Sequence, residues 1–331
     1  MNRIRTRCRR GSLAVIAAGA LVATACASAG DRPDVVANAG GRSDDIVAQV
    51  ASYDLVARRP GRFIVGLLSA DKARLVAFGT VELTFAFLGD RSSATSSGTP
   101  GAPVTARFLP IPGQRTDPAA PGPRFAQGSE AIGVYGAPDV RFDRPGFWRV
   151  DVAATIGGRR RQADAAFEVM ERSAIPAVGD MAPRTEHPIA GAAGVDPRSV
   201  DSRAAADSPV PDPELHSATI AAALAAGRPL MVVVATPTYC TSRFCGPITD
   251  SVSGLAKRYG DRAAFVHLEV WKNFEAKELN RAAAEWIYPP GSEDAREPWV
   301  FVVGRDGRIA YRFDNVATEA ELEAALGEVT R

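Results

Sequence analysis

The sequence is poor in metal-binding and reactive side chains, and it has almost no net charge. Its 331 residues include 4 cysteines and 3 histidines, and the formal charge is +1 with both signs interspersed. Such a chain has no long-range field to attract nucleic acid or an anionic bilayer, so we expect no nucleic-acid partner. The length exceeds what one ordinary core supports, which predicts two domains joined by linkers.

Long apolar runs are also scarce, and the main one lies at the N-terminus. Several arginines precede the run from Leu13 to Ala25, which ends in small residues before Cys26. This pattern is typical of a secretory signal, and the run is too short for a membrane span. The sequence Leu-Val-Ala-Thr-Ala-Cys at 21–26 resembles the lipobox of bacterial lipoproteins. The resemblance implies a signal peptide over 1–25 and a lipidated Cys26, with a plain secretory signal as the alternative.

A lipoprotein signal changes how the cysteines are interpreted. The mature protein would be extracytoplasmic, held at the cell membrane by its lipid, with residues 26–48 as a flexible tether because they lack periodicity. Cys8 would be lost with the signal and Cys26 acylated. Only Cys240 and Cys245 would remain to pair, and an extracytoplasmic location permits a disulfide between them.

Residues 49–171 carry the pattern of an all-β domain. Apolar residues alternate with a period of two at 63–67, 81–87 and 148–152, which predicts short strands and a β-sandwich. The segment from Tyr135 to Trp148 is similar to the Y-x-P-x-V-x-F-x-x-x-G-x-W run of YtkA-like domains, which implies an immunoglobulin-like sandwich. Two long loops are predicted at 89–103 and 110–128. The domain contains no cysteine or histidine, so we expect a spacer or docking module without a soft-metal site.

Residues 172–216 are rich in proline and small polar residues, which predicts a linker. We expect its histidines, His187 and His216, to be solvated. The stretch Val178 to Pro183 is similar to the phrase that opens many redoxin and peroxiredoxin domains, and it is either a first strand or a vestige of one.

Residues 217–331 alternate between strand and helix patterns. The predicted order is a helix at 219–226, a buried strand at 230–235, a helix from Pro247, a strand at 264–271, a helix bearing Phe274, Leu279, Ala283 and Trp286, a strand at 299–303, a strand at 309–313, and a helix capped by Thr318. This order resembles the thioredoxin fold, whose active site lies at the strand-to-helix turn that here bears the cysteines. The resemblance implies a C-terminal α/β thioredoxin-like domain.

Two short motifs carry the resemblance further. Phe244-Cys245-Gly246-Pro247 is similar to the family's W-C-G-P, and Pro298 after Glu297 is similar to its cis-proline. The resemblance implies a thiol–disulfide oxidoreductase in which Cys245 attacks, Cys240 resolves, and Pro298, Glu297 and Phe244 bind substrate. A cysteine at a helix start has its thiolate stabilised. An open strand edge beside the proline would hold an extended peptide. The partner would be an envelope protein with a thiol or disulfide, and no cofactor is expected.

The site departs from the family's spacing, which leaves other functions open. Ile248 stands where the second cysteine is usual, so the motif is Cys-x4-Cys, and the buried carboxylate is missing from strand 230–235. Proton transfer would fall to Glu269, Glu297 or water. The alternatives are a redox-inactive binding module with a structural disulfide, a Sco-type copper chaperone using both cysteines with His267 packed in a strand, and a peroxiredoxin-like peroxidase built on Pro237, Thr241 and Cys245.

Overall fold

The computed structural model describes residues 46–331 apart from 91, 94, 96–97, 115–121, 206–207 and 293–295. The predicted signal peptide, the lipidated Cys26 and the tether up to residue 45 lie outside the described residues. The tether was expected to extend to residue 48, but a strand already begins at Ile46. No helix in the described part of the chain is long and apolar enough to cross a membrane.

Fifteen strands and four α-helices follow one another along the described chain. The strands are β1 (Ile46–Val50), β2 (Pro60–Ser69), β3 (Leu75–Ala77), β4 (Thr80–Gly89), β5 (Val104–Pro110), β6 (Arg124–Ala126), β7 (Gly133–Arg141), β8 (Gly146–Ile156), β9 (Arg159–Val169), β10 (Leu230–Ala235), β11 (Ala264–Glu269), β12 (Trp271–Asn273), β13 (Glu278–Leu279), β14 (Trp299–Val303) and β15 (Ile309–Asp314). The helices are α1 (Ile220–Ala225), α2 (Cys245–Tyr259), α3 (Arg281–Ile287) and α4 (Glu319–Val329). Single turns of 3₁₀ helix occur at Pro197–Ser199 and Pro213–Leu215.

Strands β1 to β9 form one antiparallel sheet in the order β6-β3-β2-β7-β5-β4-β8-β9, with β1 also paired to β2. The sheet folds back on itself, because Phe63 of β2 contacts Phe167 of β9 although those strands are not neighbours. The rings of Phe63, Phe85 and Phe167 lie with centroids 4.9–6.2 Å apart in the middle of the core. The predicted alternation is confirmed, since its inward-facing residues are buried there. The predicted loop at 110–128 was wrong in one respect, because it contains β6.

The second sheet has the order β11-β10-β14-β15, with β10 and β11 parallel and the other pairs antiparallel. Helices α1 and α3 pack on one face around Trp286, and α2 and α4 pack on the other around Leu255 and Leu322. Each of the two central strands is buried along its whole length. The predictions for β10, β14 and the capped helix α4 are confirmed, and Thr318 and Glu321 form the expected capping box.

One predicted helix is wrong. Phe274 and Leu279 were placed on a single helical face, but the chain there forms the hairpin β12–β13, and α3 begins only at Arg281. The Asn280 side chain accepts a hydrogen bond from the Ala282 N–H and so starts the helix late. The ring of Phe274 instead stacks on Tyr239, with centroids 3.9 Å apart.

The Pro-rich segment 172–216 lies along the second sheet rather than spanning free space. The Ile309 N–H donates to the Asp180 carbonyl, and the Gly179 N–H donates to the Ile309 carbonyl. The expectation that His216 is solvated is wrong, because only 2 % of it is exposed, and His187 is half-buried. The redoxin-like phrase therefore lies beside the start of β15, with a turn at Val178 and Gly179 and an isolated bridge between Met181 and Arg308.

Polar contacts connect the two sheets, and residues 46–331 all belong to one compact unit. The Tyr53 N–H donates to Asp314 Oδ2 at 2.7 Å, and the Asn315 side-chain amide donates to the Ala51 carbonyl at 3.1 Å. These contacts fix the loop after β1 against the end of β15.

Candidate functional site

The loop 236–244 connects the buried strand β10 to α2; it carries Cys240, and Cys245 is the first residue of the helix. Cys240 and Cys245 form a disulfide, and their Cα atoms are 6.1 Å apart. The five-residue offset therefore closes a bridge, as expected. Pro247 lies in the first turn of α2, where a missing N–H breaks no helical hydrogen bond.

The two sulfurs differ in accessibility. Cys245 is 0 % exposed and packs with Ile248 and Val252 in the core beneath α2, whereas Cys240 is partly exposed. A partner's sulfur can reach only a disulfide sulfur that faces solvent. This accessibility favours the opposite order from the one predicted, with Cys240 as the sulfur that meets the partner and Cys245 as the one that resolves.

Ser242 contacts the more accessible sulfur. Its Oγ lies 3.1 Å from Cys240 Sγ and also accepts a hydrogen bond from the Phe244 N–H at 3.4 Å. A disulfide sulfur carries no hydrogen, so the Ser242 hydroxyl is the donor to Cys240. In the reduced protein the same hydroxyl would stabilise a thiolate at Cys240, because hydrogen bonding to a charged form favours it.

Glu297 brings a carboxylate to the disulfide. One carboxylate oxygen and the two sulfurs of Cys240 and Cys245 all lie within 4.8 Å of one another, and the Glu297–Pro298 peptide bond is cis, as the sequence predicted. Burial raises the pKa of Glu297, and the nearby carboxylate of Glu269 raises it further. The group therefore holds its proton to higher pH than an ordinary glutamate and is placed to exchange it with a cysteine.

Glu269 is the second buried carboxylate of this region. It ends β11, is 1 % exposed, and accepts hydrogen bonds from the Ser202 N–H at 2.8 Å and the Trp271 N–H at 3.2 Å. Burial raises its pKa above the ordinary value for glutamate. Glu269 is thus buried and Glu297 half-buried, and both of these predicted proton-transfer groups lie near the cysteine loop.

The residues expected to bind substrate also make contacts within the chain. Phe244 packs against the cluster of Ile64, Val134 and Val316 between the two sheets. The carbonyl of Glu297 accepts a hydrogen bond from the Tyr53 hydroxyl at 3.0 Å, and the carbonyl of buried Pro298 accepts one from the Asn315 N–H at 2.9 Å. The carbonyls of Glu297 and Pro298 are therefore both engaged within the chain.

Comparison with models of known protein families gives no match, and comparison with curated proteins finds no relative.

The described residues contain a second polar cluster that sequence reasoning missed. Asp201, His216 and His267 are all buried, with one nitrogen or oxygen from each lying within 4.8 Å of the others. The sequence offers one signal: His216 in the Pro-rich segment and His267 in a predicted strand are two of only three histidines. His267 belongs to this cluster and not to the group formed by Cys240, Cys245 and Glu297.

Replacing Glu297 by Gln is expected to activate the reduced Cys240 thiol. The Glu297 carboxylate lies close to the sulfurs, and a like charge at that distance disfavours the thiolate. At pH values above the raised pKa of Glu297, we expect Cys240 to be alkylated about tenfold faster in reduced Glu297→Gln protein than in reduced wild type. The reason is that the Gln side chain carries no charge. Below that pKa the wild-type carboxyl is protonated and the difference disappears. Glu328→Gln, which changes an exposed carboxylate of α4, serves as the control, and equal rates at high pH would contradict the argument.

Proposed function

We propose that this chain is a thioredoxin-like protein that exchanges disulfides with protein partners through Cys240 and Cys245. One observation carries the proposal: the start of α2 holds an oxidised cysteine pair with one partly exposed sulfur and one buried sulfur, beside a carboxylate. A pair of this kind has one sulfur for a partner and one to resolve the mixed disulfide.

The architecture of the second sheet supports the proposed fold. A parallel pair, β10 and β11, and an antiparallel pair, β14 and β15, share one sheet covered by helices on both faces. The cysteine loop leaves the end of a central strand, and ligands of open α/β sheets bind outside such carboxyl ends. We propose that this sheet is the thioredoxin-like domain and that the nine-stranded sheet is an immunoglobulin-like module.

The chemistry starts from the disulfide. A partner thiolate attacks Cys240 Sγ, a partner–Cys240 bond forms, the Cys240–Cys245 bond breaks, and Cys245 leaves as a thiolate that takes a proton. A second partner thiolate then attacks the partner's own sulfur in the mixed disulfide, and Cys240 leaves as a thiolate. The partner's two thiols become a disulfide, and the Cys240–Cys245 pair is reduced to two thiols. The reverse sequence reduces a partner disulfide.

Location and anchoring complete the proposal. We propose that the signal over 1–25 exports the chain and that acylation of Cys26 holds it at the membrane, where the nine-stranded module gives reach or docking. An oxidised cysteine pair suits an extracytoplasmic compartment.

A transfer experiment tests the proposed exchange. Oxidised full chain is mixed with a reduced peptide containing two cysteines, and both products are weighed by mass spectrometry. We expect the peptide to lose two hydrogens and the protein to gain two, with no transfer by Cys240→Ser protein. A peptide that stays reduced over hours, while the disulfide persists, would reject the function.

Copper transport is the second candidate, because the reduced sulfurs and the Glu297 carboxylate would converge on one point. Soft thiolates suit Cu(I). Titration of the reduced chain with Cu(I) separates the two functions. A copper chaperone should bind one equivalent of Cu(I) tightly, whereas an exchange protein need not.

A further inference from the structure

We propose that Asp201, His216 and His267 form a buried site for a divalent transition-metal ion, of which Zn²⁺ is the best fit. The site is independent of the cysteines. It joins the Pro-rich segment, which supplies Asp201 and His216, to β11, which supplies His267.

The distances from Asp201 to the two histidines suit ligand atoms of one metal ion. Asp201 Oδ2 lies 3.3 Å from His216 Nε2 and 3.5 Å from His267 Nδ1. Two ligand atoms bound tetrahedrally to Zn²⁺ at 2.0–2.2 Å are about 3.3–3.5 Å apart. Charge-assisted N–H···O bonds are shorter, at about 2.7–2.9 Å. Two imidazoles and a carboxylate are also ligands that Zn²⁺ takes in proteins.

His267 presents an unused nitrogen to this point. Its side chain is 0 % exposed, and Nδ1 makes no hydrogen bond to any described residue. Nε2 lies 3.1 Å from the Ala235 carbonyl, which can only accept, so Nε2 carries the proton and Nδ1 presents its lone pair in the neutral ring. A histidine that ligates a metal commonly donates its other N–H to a backbone carbonyl in this way.

Arg203 fixes the carboxylate. Its Nε and backbone N–H donate to Asp201 Oδ1 at 3.0 and 2.9 Å, and its Nη2 contacts Oδ2 at 2.7 Å. The charge of this guanidinium is balanced by further contacts to Asp212 at 2.7 Å and Asp250 at 3.0 Å. Outer hydrogen bonds of this kind orient ligating carboxylates.

The site would also brace the cysteine loop. Ser202, next to Asp201, donates its N–H to Glu269, and its Oγ accepts a hydrogen bond from the Thr238 N–H at 3.1 Å. An ion on Asp201 would therefore hold the base of the loop that carries Cys240.

His187 provides a matched control. It is the third histidine of the chain, and both ring nitrogens have partners: Nδ1 lies 3.0 Å from the Pro188 carbonyl, and Nε2 accepts from the Ile220 N–H at 3.2 Å. A ring with both nitrogens engaged has none left for a metal, so its replacement should leave the site intact.

The test uses full chain with the disulfide intact, so that Cys240 and Cys245 are not available as ligands. Protein refolded with Zn²⁺ and passed through a desalting column should retain one equivalent, and removal of the ion by a chelator should lower the Tm by about 5 °C or more. His187→Gln should retain the ion. His216→Ala and His267→Ala should bind Zn²⁺ at least about 100-fold more weakly.

Wild-type measurements guard against variants that fail to fold. X-ray absorption of the zinc-loaded wild type should show imidazole nitrogen and oxygen around the ion and no sulfur. Wild type that folds without retaining Zn²⁺ would overturn the site. Retention of the ion by His216→Ala and His267→Ala would also overturn it.

Discussion

In a Cys245→Ser protein, the remaining Cys240 thiol is expected to react with an aromatic disulfide reagent on the order of 100-fold faster than Cys245 reacts in Cys240→Ser protein. The reason is access. Cys240 is partly exposed and accepts a hydrogen bond from Ser242, whereas Cys245 is 0 % exposed in the core below α2. Stopped-flow absorbance of the released thiolate measures both rates.

The same pair of variants should differ in trapping. Cys245→Ser protein should keep a mixed disulfide with a partner, because the resolving thiol is gone, and Cys240→Ser protein should trap little. Denatured samples of both variants, which expose either cysteine fully, control for intrinsic reactivity. Equal rates in the folded variants, or faster reaction of Cys245, would restore the order suggested by the Phe-Cys-Gly-Pro motif.

Replacing Asp54 by Asn is expected to lower the free energy of unfolding by about 3 kcal/mol. Asp54 lies in the loop after β1, and its Oδ2 is 2.6 Å from Arg312 Nη2 of β15; their side chains are only 11 % and 14 % exposed. The change leaves a buried guanidinium without its counter-ion, although Ser173 and the Pro176 carbonyl still accept from it. Urea denaturation followed by circular dichroism measures the loss.

Glu171→Gln is the matched control for that prediction. It also converts a carboxylate paired with an arginine to an amide, but Glu171 and Arg58 are 53 % and 59 % exposed, so solvent screens the pair. We expect a change below about 1 kcal/mol. Similar losses for the two variants would mean that the Asp54–Arg312 pair does not hold the two sheets together.

Much of the second sheet could be predicted because its signals are local. The run 230–235 is apolar throughout, as a strand buried on both faces requires, and Thr318 with Glu321 marks the start of α4 in the sequence itself. The disulfide could be predicted because a lipoprotein signal, if present, leaves only Cys240 and Cys245 to pair.

The features that escaped prediction depend on contacts distant in sequence. Proline and small polar residues made 172–216 look like a linker, but Asp201 and His216 are buried by contact with β11. The spacing of Phe274 suited a helix, yet its ring stacks on Tyr239 of the cysteine loop. Which cysteine faces solvent is decided by how α2 packs on the sheet, and the motif around Cys245 carries no information on that packing.

The reduction potential of the Cys240–Cys245 pair distinguishes a disulfide that exchanges with partners from one that only braces the loop. Equilibration of the full chain with glutathione or dithiothreitol buffers, followed by thiol alkylation and mass spectrometry, gives the value. An exchange protein requires a potential above about −300 mV, because the pair can then undergo thiol–disulfide exchange with partner thiols. A potential well below about −300 mV would mean a bridge that resists reduction and only braces the loop, and it would contradict the proposed function.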